Sequence, residues 1–99
     1  MTNLIIHPEV ASELAEATKW YRAIDHELAG RFLDEVLRGI RQARETPLHY
    51  RIIEASYRRV LCERFPYRII FEVIEERQAV HIVAVTHQQR HPDQWKKRL

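Results

Sequence analysis

The chain has 99 residues, of which 45% are hydrophobic, and its formal net charge is +2. This length suits one domain with one core, and the hydrophobic content favours a folded chain over a disordered one. The single cysteine, Cys62, excludes an internal disulfide and a thiolate metal cluster. Since no apolar run is long enough to span a bilayer and the N-terminus lacks the pattern of a secretion signal, we expect a cytoplasmic protein without membrane contact.

Charge is divided unevenly between the two halves of the chain. Residues 1–50 contain six Lys or Arg and eight Asp or Glu, whereas residues 51–99 contain ten and six. The second half, which holds most of the predicted strands, is therefore basic. A cationic sheet suits a polyanion or an acidic protein partner, although an ordinary solvated surface explains the same pattern.

The first half predicts a strand followed by a helix. Residues 4–6 form a short apolar run that ends at His7-Pro8, where we expect the strand to join the helix. Trp20 flanks the apolar stripe of this helix and is expected to seal a contact between helices. The stripe itself consists of Val10, Leu14, Ala17, Tyr21 and Ile24.

A second helix is predicted from Asp25, as its N-cap, to about Glu45. Because the joint between the helices is short, they should form an antiparallel hairpin. The predicted buried face of the second helix comprises Leu28, Phe32, Val36, Ile40 and Ala43, widened by Leu33 and Leu37.

Three strands are predicted between Arg58 and Arg90, because β-branched and aromatic residues occur there in short runs separated by Pro66 and by residues 75–78. Residues 48–56 are expected to be a connecting segment, and the tail to dock through Trp95 or stay frayed. The order β-α-α-β-β-β predicts an α+β fold, with a mainly antiparallel sheet and the helical hairpin packed on one face. In the middle strand, Tyr67, Ile69, Phe71 and Val73 alternate with Arg68, Ile70 and Glu72.

Polar residues at the strands suggest an anion site. Arg68 lies on one predicted strand, and His87 and Arg90 end the next. His81, His87 and His91 are candidate metal ligands, but the proline after the last histidine and the lack of a glutamate after His87 disfavour that arrangement. We therefore expect no metal and no cofactor. Cys62 is expected to be a buried, inert thiol.

The order of elements and two segments resemble the RelE/ParE family of bacterial toxins. The segments are Tyr67-Arg68-Ile69-Ile70-Phe71, similar to the family's Tyr/His-Arg-Leu-Val-Tyr strand, and the closing stretch from His87 to Trp95. The likeness extends over nearly the whole chain and implies a single toxin domain over residues 1–99. It also implies the toxic half of a type II toxin-antitoxin, or plasmid-stabilisation, module, held in a hetero-oligomer by a cognate antitoxin.

The resemblance implies two different activities, which remain open at this point. RelE-like toxins cleave messenger RNA in the ribosomal A site without a metal, whereas ParE-like toxins act on DNA gyrase and cut nothing. For the endoribonuclease, Arg68 aligns with the arginine of the RelE-like strand, and Arg59 falls near a basic position of the preceding strand in that branch. His87 lies near the strand-end position of its catalytic polar groups. Glu63 is a candidate second general base. RelE-like toxins often carry another basic residue where this chain has Leu61.

For a gyrase poison, only a shaped and charged surface is needed. The candidate target-contact residues are Arg58, Arg90, Trp95, Lys96 and Lys97. An acidic or mixed antitoxin segment is expected to cross the helical hairpin and the basic sheet. The alternative from a different class is a non-toxic RNA-binding or protein-interaction module that uses the same cationic sheet.

Overall fold

A computed structural model describes residues 3–90 and 93–98 of the chain. The sheet has five strands in the order β1-β5-β4-β3-β2, with β1 parallel to β5 and the other neighbours antiparallel. Within the described ranges, no helix combines the length and the apolar content needed to cross a membrane. The elements are β1 (Asn3–Ile6), α1 (Pro8–Ile24), α2 (His26–Glu45), β2 (Ile52–Glu54), β3 (Tyr57–Leu61), β4 (Tyr67–Ile74) and β5 (Ala79–His87).

Both predicted helix starts are confirmed, and local chemistry explains them. His7 caps α1, since its Nδ1 accepts a hydrogen bond of 3.1 Å from the Glu9 amide, and Pro8 occupies the first turn. Asp25 ends α1 by donating its amide to the Tyr21 carbonyl, and its carboxylate accepts from the Glu27 amide at 3.0 Å to start α2. Asp25 alone thus connects the two helices of the hairpin.

The main core lies between this hairpin and one face of the sheet, here called the inner face. The predicted alternation in β4 is confirmed for Tyr67, Ile69 and Phe71, which are buried on this face with Phe32 and Val36 of α2. This arrangement confirms the α+β class with helices on one face. The aromatic rings of Tyr21, Phe32, Phe65 and Tyr67 pack together with centroids 5.0 to 6.2 Å apart.

Three apolar positions that were predicted to be covered are exposed instead. Ile24 is 62% exposed, Trp20 60% and Leu37 52%. For Trp20 the reason is that β1 ends at Ile6, so this part of α1 overhangs a groove rather than a strand. The prediction that Trp20 seals a contact between the helices is therefore wrong.

The segment 48–56, predicted as a connection, contains the edge strand β2. Ile52 pairs with Arg58 and Glu54 pairs with Tyr57, and Ala55 at φ 49° makes the tight turn between β2 and β3. A strand of three residues is too short for alternation to reveal it.

The opposite face of the sheet, here called the outer face, carries the C-terminal turn, a 3₁₀ helix over Gln94–Arg98. Trp95 is 1% exposed and forms a second small core with Ile70, Val83 and Ala84. Ile70 of β4 lies opposite Ala84 of β5, but the next residue of β4, Phe71, lies opposite Ile82. Val83 is therefore left unpaired and forms a bulge. Docking of the tail through Trp95 is confirmed.

Candidate functional site

The sheet separates the predicted site residues onto its two faces. Arg68 lies opposite Leu61 and Thr86, and Arg59 lies opposite Ile70, which packs under the C-terminal turn. Cross-strand partners point to the same face, so both arginines belong to the outer face. His87 instead lies opposite Tyr67, an inner-face residue whose ring is 5.2 Å from the imidazole.

Arg59 and Arg68 form a pair of neighbouring, half-buried cations on the outer face. Burial lowers the pKa of Arg68, the positive charge of Arg59 lowers it further, and Asp93 opposes the change. Leu61, at 47% exposure, lies directly opposite Arg68 on the neighbouring strand. Two adjacent guanidinium groups beside an apolar side chain favour an anionic partner with some apolar surface.

The ring of His87 accepts hydrogen bonds from the backbone. Its Nδ1 accepts hydrogen bonds from the amides of Gln89 at 3.1 Å and Arg90 at 3.3 Å, so the proton of the neutral ring lies on Nε2. Burial and then the positive charge of Arg90 lower the pKa of His87. The neutral ring therefore has no free lone pair with which to accept a proton, and it caps the turn after β5.

Glu63 lies in the turn after β3 and lines a small cavity of about 120 Å³ together with Glu35 and Cys62. Glu35 belongs to α2, so this cavity lies beside that helix. The Cys62 thiol is buried, and desolvation, then the charge of Glu35, raises its pKa to about 12. The prediction that the Cys62 thiol is buried is confirmed. Of the predicted nuclease residues, Arg59 and Arg68 lie close enough for the charge of Arg59 to lower the pKa of Arg68.

Two of the predicted target-contact residues have structural roles. Arg58 donates a hydrogen bond of 2.7 Å to the carbonyl of Tyr50, which fixes the segment before β2. Trp95 is buried under the outer face, so its ring is not available to stack on a partner. The structure thus gives both residues a packing role.

The other three predicted target-contact residues differ in how their charge is used. Lys96 forms ion pairs with Glu54 at 3.1 Å and Asp93 at 3.4 Å, and the hydrogen bond to Glu54 is the main reason that its pKa is raised. Lys97 and Arg90 are exposed. These two cations remain the accessible members of the predicted set.

Arg98 was missed by the sequence analysis. Its guanidinium bonds to the Glu13 carboxylate at 2.8 and 3.0 Å, to Glu9 at 2.7 Å and to the Val83 carbonyl at 2.9 Å. Glu13 also accepts a hydrogen bond of 2.9 Å from the Val85 amide, and the hydrogen bond to Glu13 raises the pKa of Arg98. No sequence pattern signals a pair 85 residues apart.

A groove of about 600 Å³ lies between α1 and the free edge of β5. We call it the edge groove; its lining includes Ala17, Trp20, Tyr67, Val85, Thr86 and His87. It lies where a strand would continue β1. His91 and Pro92, which entered the metal and family arguments, are outside the described residues.

Comparisons with known proteins point in one direction. The family model described as "ParE toxin of type II toxin-antitoxin system, parDE" matches residues 4–92. A search of curated proteins finds no match.

Solved structures share the fold at low sequence identity. A chain from the chromosomal ParDE toxin-antitoxin system of P. aeruginosa is 18% identical, with a TM-score of 0.76 over 88% of this chain and 96% of that one. A chain of the intact E. coli RelBE complex is 14% identical, with a TM-score of 0.58 over 91% and 100%. The isolated E. coli RelE toxin is also 14% identical, with a TM-score of 0.58 over the full length of both chains.

Proposed function

Since the chain belongs to the ParE toxin family of type II toxin-antitoxin systems, we propose that it is the growth-inhibiting toxin of such a module and is neutralised by a cognate antitoxin. We propose further that it acts as ParE-like toxins do, by binding DNA gyrase, rather than by cleaving messenger RNA. The TM-score of 0.76 with a chain from a ParDE system, against 0.58 with RelE chains, supports this choice.

The observation that carries the choice is the state of His87. Metal-independent RNA cleavage needs a proton acceptor for the ribose 2′-hydroxyl, a proton donor for the leaving oxygen and cations at the phosphate, all around one phosphodiester. Here the His87 acceptor nitrogen is occupied by two backbone amides, and the ring lies on the opposite face from Arg59 and Arg68. A binding mechanism needs none of these proton transfers.

The outer face is the proposed contact surface for the target. Arg59 and Arg68 supply paired positive charge, Leu61 supplies exposed apolar surface beside them, and the exposed Lys97 adds a cation from the C-terminal turn. Arginine next to an apolar side chain is the composition that favours tight protein contacts.

The test is induced expression in a bacterial host, with pulse labelling of DNA and protein synthesis and mapping of transcript ends in the same cultures. We expect DNA synthesis to stop first while transcripts stay intact, and the purified protein to inhibit plasmid supercoiling by gyrase. Arg68→Ala should relieve the arrest, whereas His87→Asn, which can still cap the turn, should not.

A different result would select another activity. Early loss of protein synthesis, with transcripts cut at ribosomes and rescue by His87→Asn, would make the protein an endoribonuclease. The observation that favours this second candidate is the pair of adjacent arginines, of which Arg68 aligns with the RelE-like arginine and Arg59 falls near a basic position. Unimpaired growth at high expression would leave a non-toxic interaction module.

A further inference from the structure

The edge of β3 that faces β2 is covered along only part of its length. The pairing of the two strands ends with the bond from the Arg59 amide to the Arg51 carbonyl at 3.3 Å. The residues before Arg51 include the 3₁₀ helix Pro47–His49 rather than a strand, while β3 continues to Leu61. Within residues 3–90 and 93–98, no strand therefore lies beside Leu61 on this side.

The backbone of Leu61 points to this uncovered edge. The Cys62 amide donates to the Tyr67 carbonyl at 3.0 Å, so the backbone of Cys62 faces β4. Because neighbouring residues of a strand direct their backbone groups to opposite edges, the N–H and C=O of Leu61 point away from β4. In the described part of the chain, neither group has a hydrogen-bond partner. Unpaired groups at a sheet edge are the groups with which an added strand pairs.

The side chain of Leu61 also presents apolar surface at this edge. It is 47% exposed on the outer face, opposite Arg68 and two residues after Arg59. The cavity of about 120 Å³ lies at the same end of β3, and its lining includes the buried Val60 and Cys62. Since a strand directs alternate side chains to opposite faces, a strand beside Leu61 would place one side chain over Leu61 and the next towards this cavity.

The charges around this end of β3 favour an acidic partner. The two outer-face arginines flank Leu61, and Arg38 adds a third cation from the α2 side of the cavity. Two acids, Glu35 and Glu63, also line the cavity. The carboxylate of Glu35 already accepts a hydrogen bond of 3.2 Å from the Arg64 amide. The balance is therefore positive, and opposite charges on neighbouring strands stabilise their pairing whereas like charges oppose it.

We infer that the uncovered end of β3 binds an extended, acidic segment of the target protein, which pairs with the backbone of Leu61 as a further strand. This inference rests on the proposed binding of DNA gyrase and deepens it, because it states what kind of segment the outer face recognises. At about 3.3 Å per residue, roughly four residues cover the end of β3 and the start of the next turn. The residue opposite Leu61 should be apolar, with an acid two positions away, within reach of Arg59 or Arg68. Main-chain hydrogen bonds supply affinity, and these side chains supply specificity.

The probes are purified DNA gyrase and short overlapping peptides that cover its subunits, titrated against the full chain by calorimetry. Leu61→Ala should weaken the binding of gyrase and of one acidic peptide by roughly fivefold or more, because the substitution removes apolar contact area. Ile6→Ala shortens a side chain of similar exposure, 49%, on β1 at the opposite edge of the sheet, and should leave both affinities unchanged. Because both side chains are about half exposed, the two variants should fold alike.

Backbone pairing has its own readout. Amide exchange at Leu61 should slow when the peptide binds, whereas exchange at Ile52, whose amide points outward from β2, should not change. Three outcomes would overturn the inference while gyrase binding itself stands: protection of Ile52 instead of Leu61, an affinity for gyrase that is insensitive to Leu61→Ala, or a bound peptide without acids. No binding of gyrase at micromolar concentration would overturn both the inference and the proposed function. Protection of Leu61 in the chain alone, with a dimeric mass by light scattering, would assign this edge to a second copy of the chain instead.

Discussion

At the residue scale, Gly39 shows how closely α2 approaches the sheet. A Cβ at this position would lie 2.5 Å from Cδ1 of the fully buried Ile69, whereas a Cβ at the exposed Gly30 would meet nothing within 4 Å. Replacing either glycine by alanine gains about 1 kcal/mol of helix propensity. At Gly39, however, the crowded core must move, at a cost of about 1–3 kcal/mol.

We therefore expect Gly39→Ala to be less stable than Gly30→Ala by about 1–3 kcal/mol, measured as the difference between their unfolding free energies in urea. Gly30→Ala serves as the matched control, since the propensity gain is common to both. Equal stabilisation by the two substitutions would mean that Ile69 adjusts without cost and that the helix and sheet are packed less tightly than the structure indicates.

His87 predicts a pH dependence at the same scale. Its pKa is lowered in the folded chain from the ordinary value of 6.5, so below about pH 6.5 the unfolded chain binds more protons than the folded one. Stability should therefore fall as the pH drops through this range and the ring loses its bonds from the amides of Gln89 and Arg90. His87→Asn keeps an acceptor for the turn but cannot titrate. Urea denaturation over a pH series should show a weaker acid dependence in His87→Asn than in wild type; identical curves would contradict the assigned cap.

At the element scale, the sequence predicted what local chemistry determines. The joints at His7-Pro8 and Asp25 follow from capping and proline geometry, and the strand alternation in β4 follows from the period of two. The exposure of Trp20 could not be predicted, because helical periodicity assigns a residue to a face without saying whether a strand lies beneath it. β2 was not predicted because a strand of three residues is too short to show an alternating pattern.

Arg98 connects three elements that are distant in sequence, and its loss should be costly. Its side chain is 10% exposed and that of Glu13 19%, so Arg98→Ala leaves a mostly buried carboxylate without its cation. We expect a destabilisation of about 3 kcal/mol in urea. Lys97→Ala, one position earlier in the same turn and exposed, should change stability by less than about 0.5 kcal/mol.

A double-mutant cycle separates the ion pair from the rest of the contact. If Arg98 acts through Glu13, then Glu13→Ala combined with Arg98→Ala should cost clearly less than the sum of the single substitutions. Additive losses would instead assign the effect to the bond with the Val83 carbonyl. The exposed Glu9, whose side chain is 62% accessible, should contribute little.

At the scale of the whole molecule, the sheet decides which predicted residues can act together. Arg59, Arg68 and His87 are all carried by strands of the basic half, and the sequence suggested one site for them. Strand register placed the arginines on the outer face and the imidazole on the inner face, and no local pattern reveals such a register. The fold was therefore more predictable than the site, because cross-strand pairing is set by long-range contacts.

The same separation predicts that toxicity and neutralisation can be uncoupled. Arg68 belongs to the proposed target surface, whereas the exposed Trp20 lies on the helical hairpin, which the antitoxin is expected to cross. Substitutions at distant sites without shared partners act independently. Arg68→Ala should therefore lose growth arrest while it still binds the antitoxin with wild-type affinity. Trp20→Ala should keep growth arrest but be neutralised poorly when the antitoxin is co-expressed. Growth curves with and without antitoxin, together with the affinities of the purified pairs, measure growth arrest and neutralisation for both variants. If either variant loses both growth arrest and antitoxin binding, target and antitoxin share one surface.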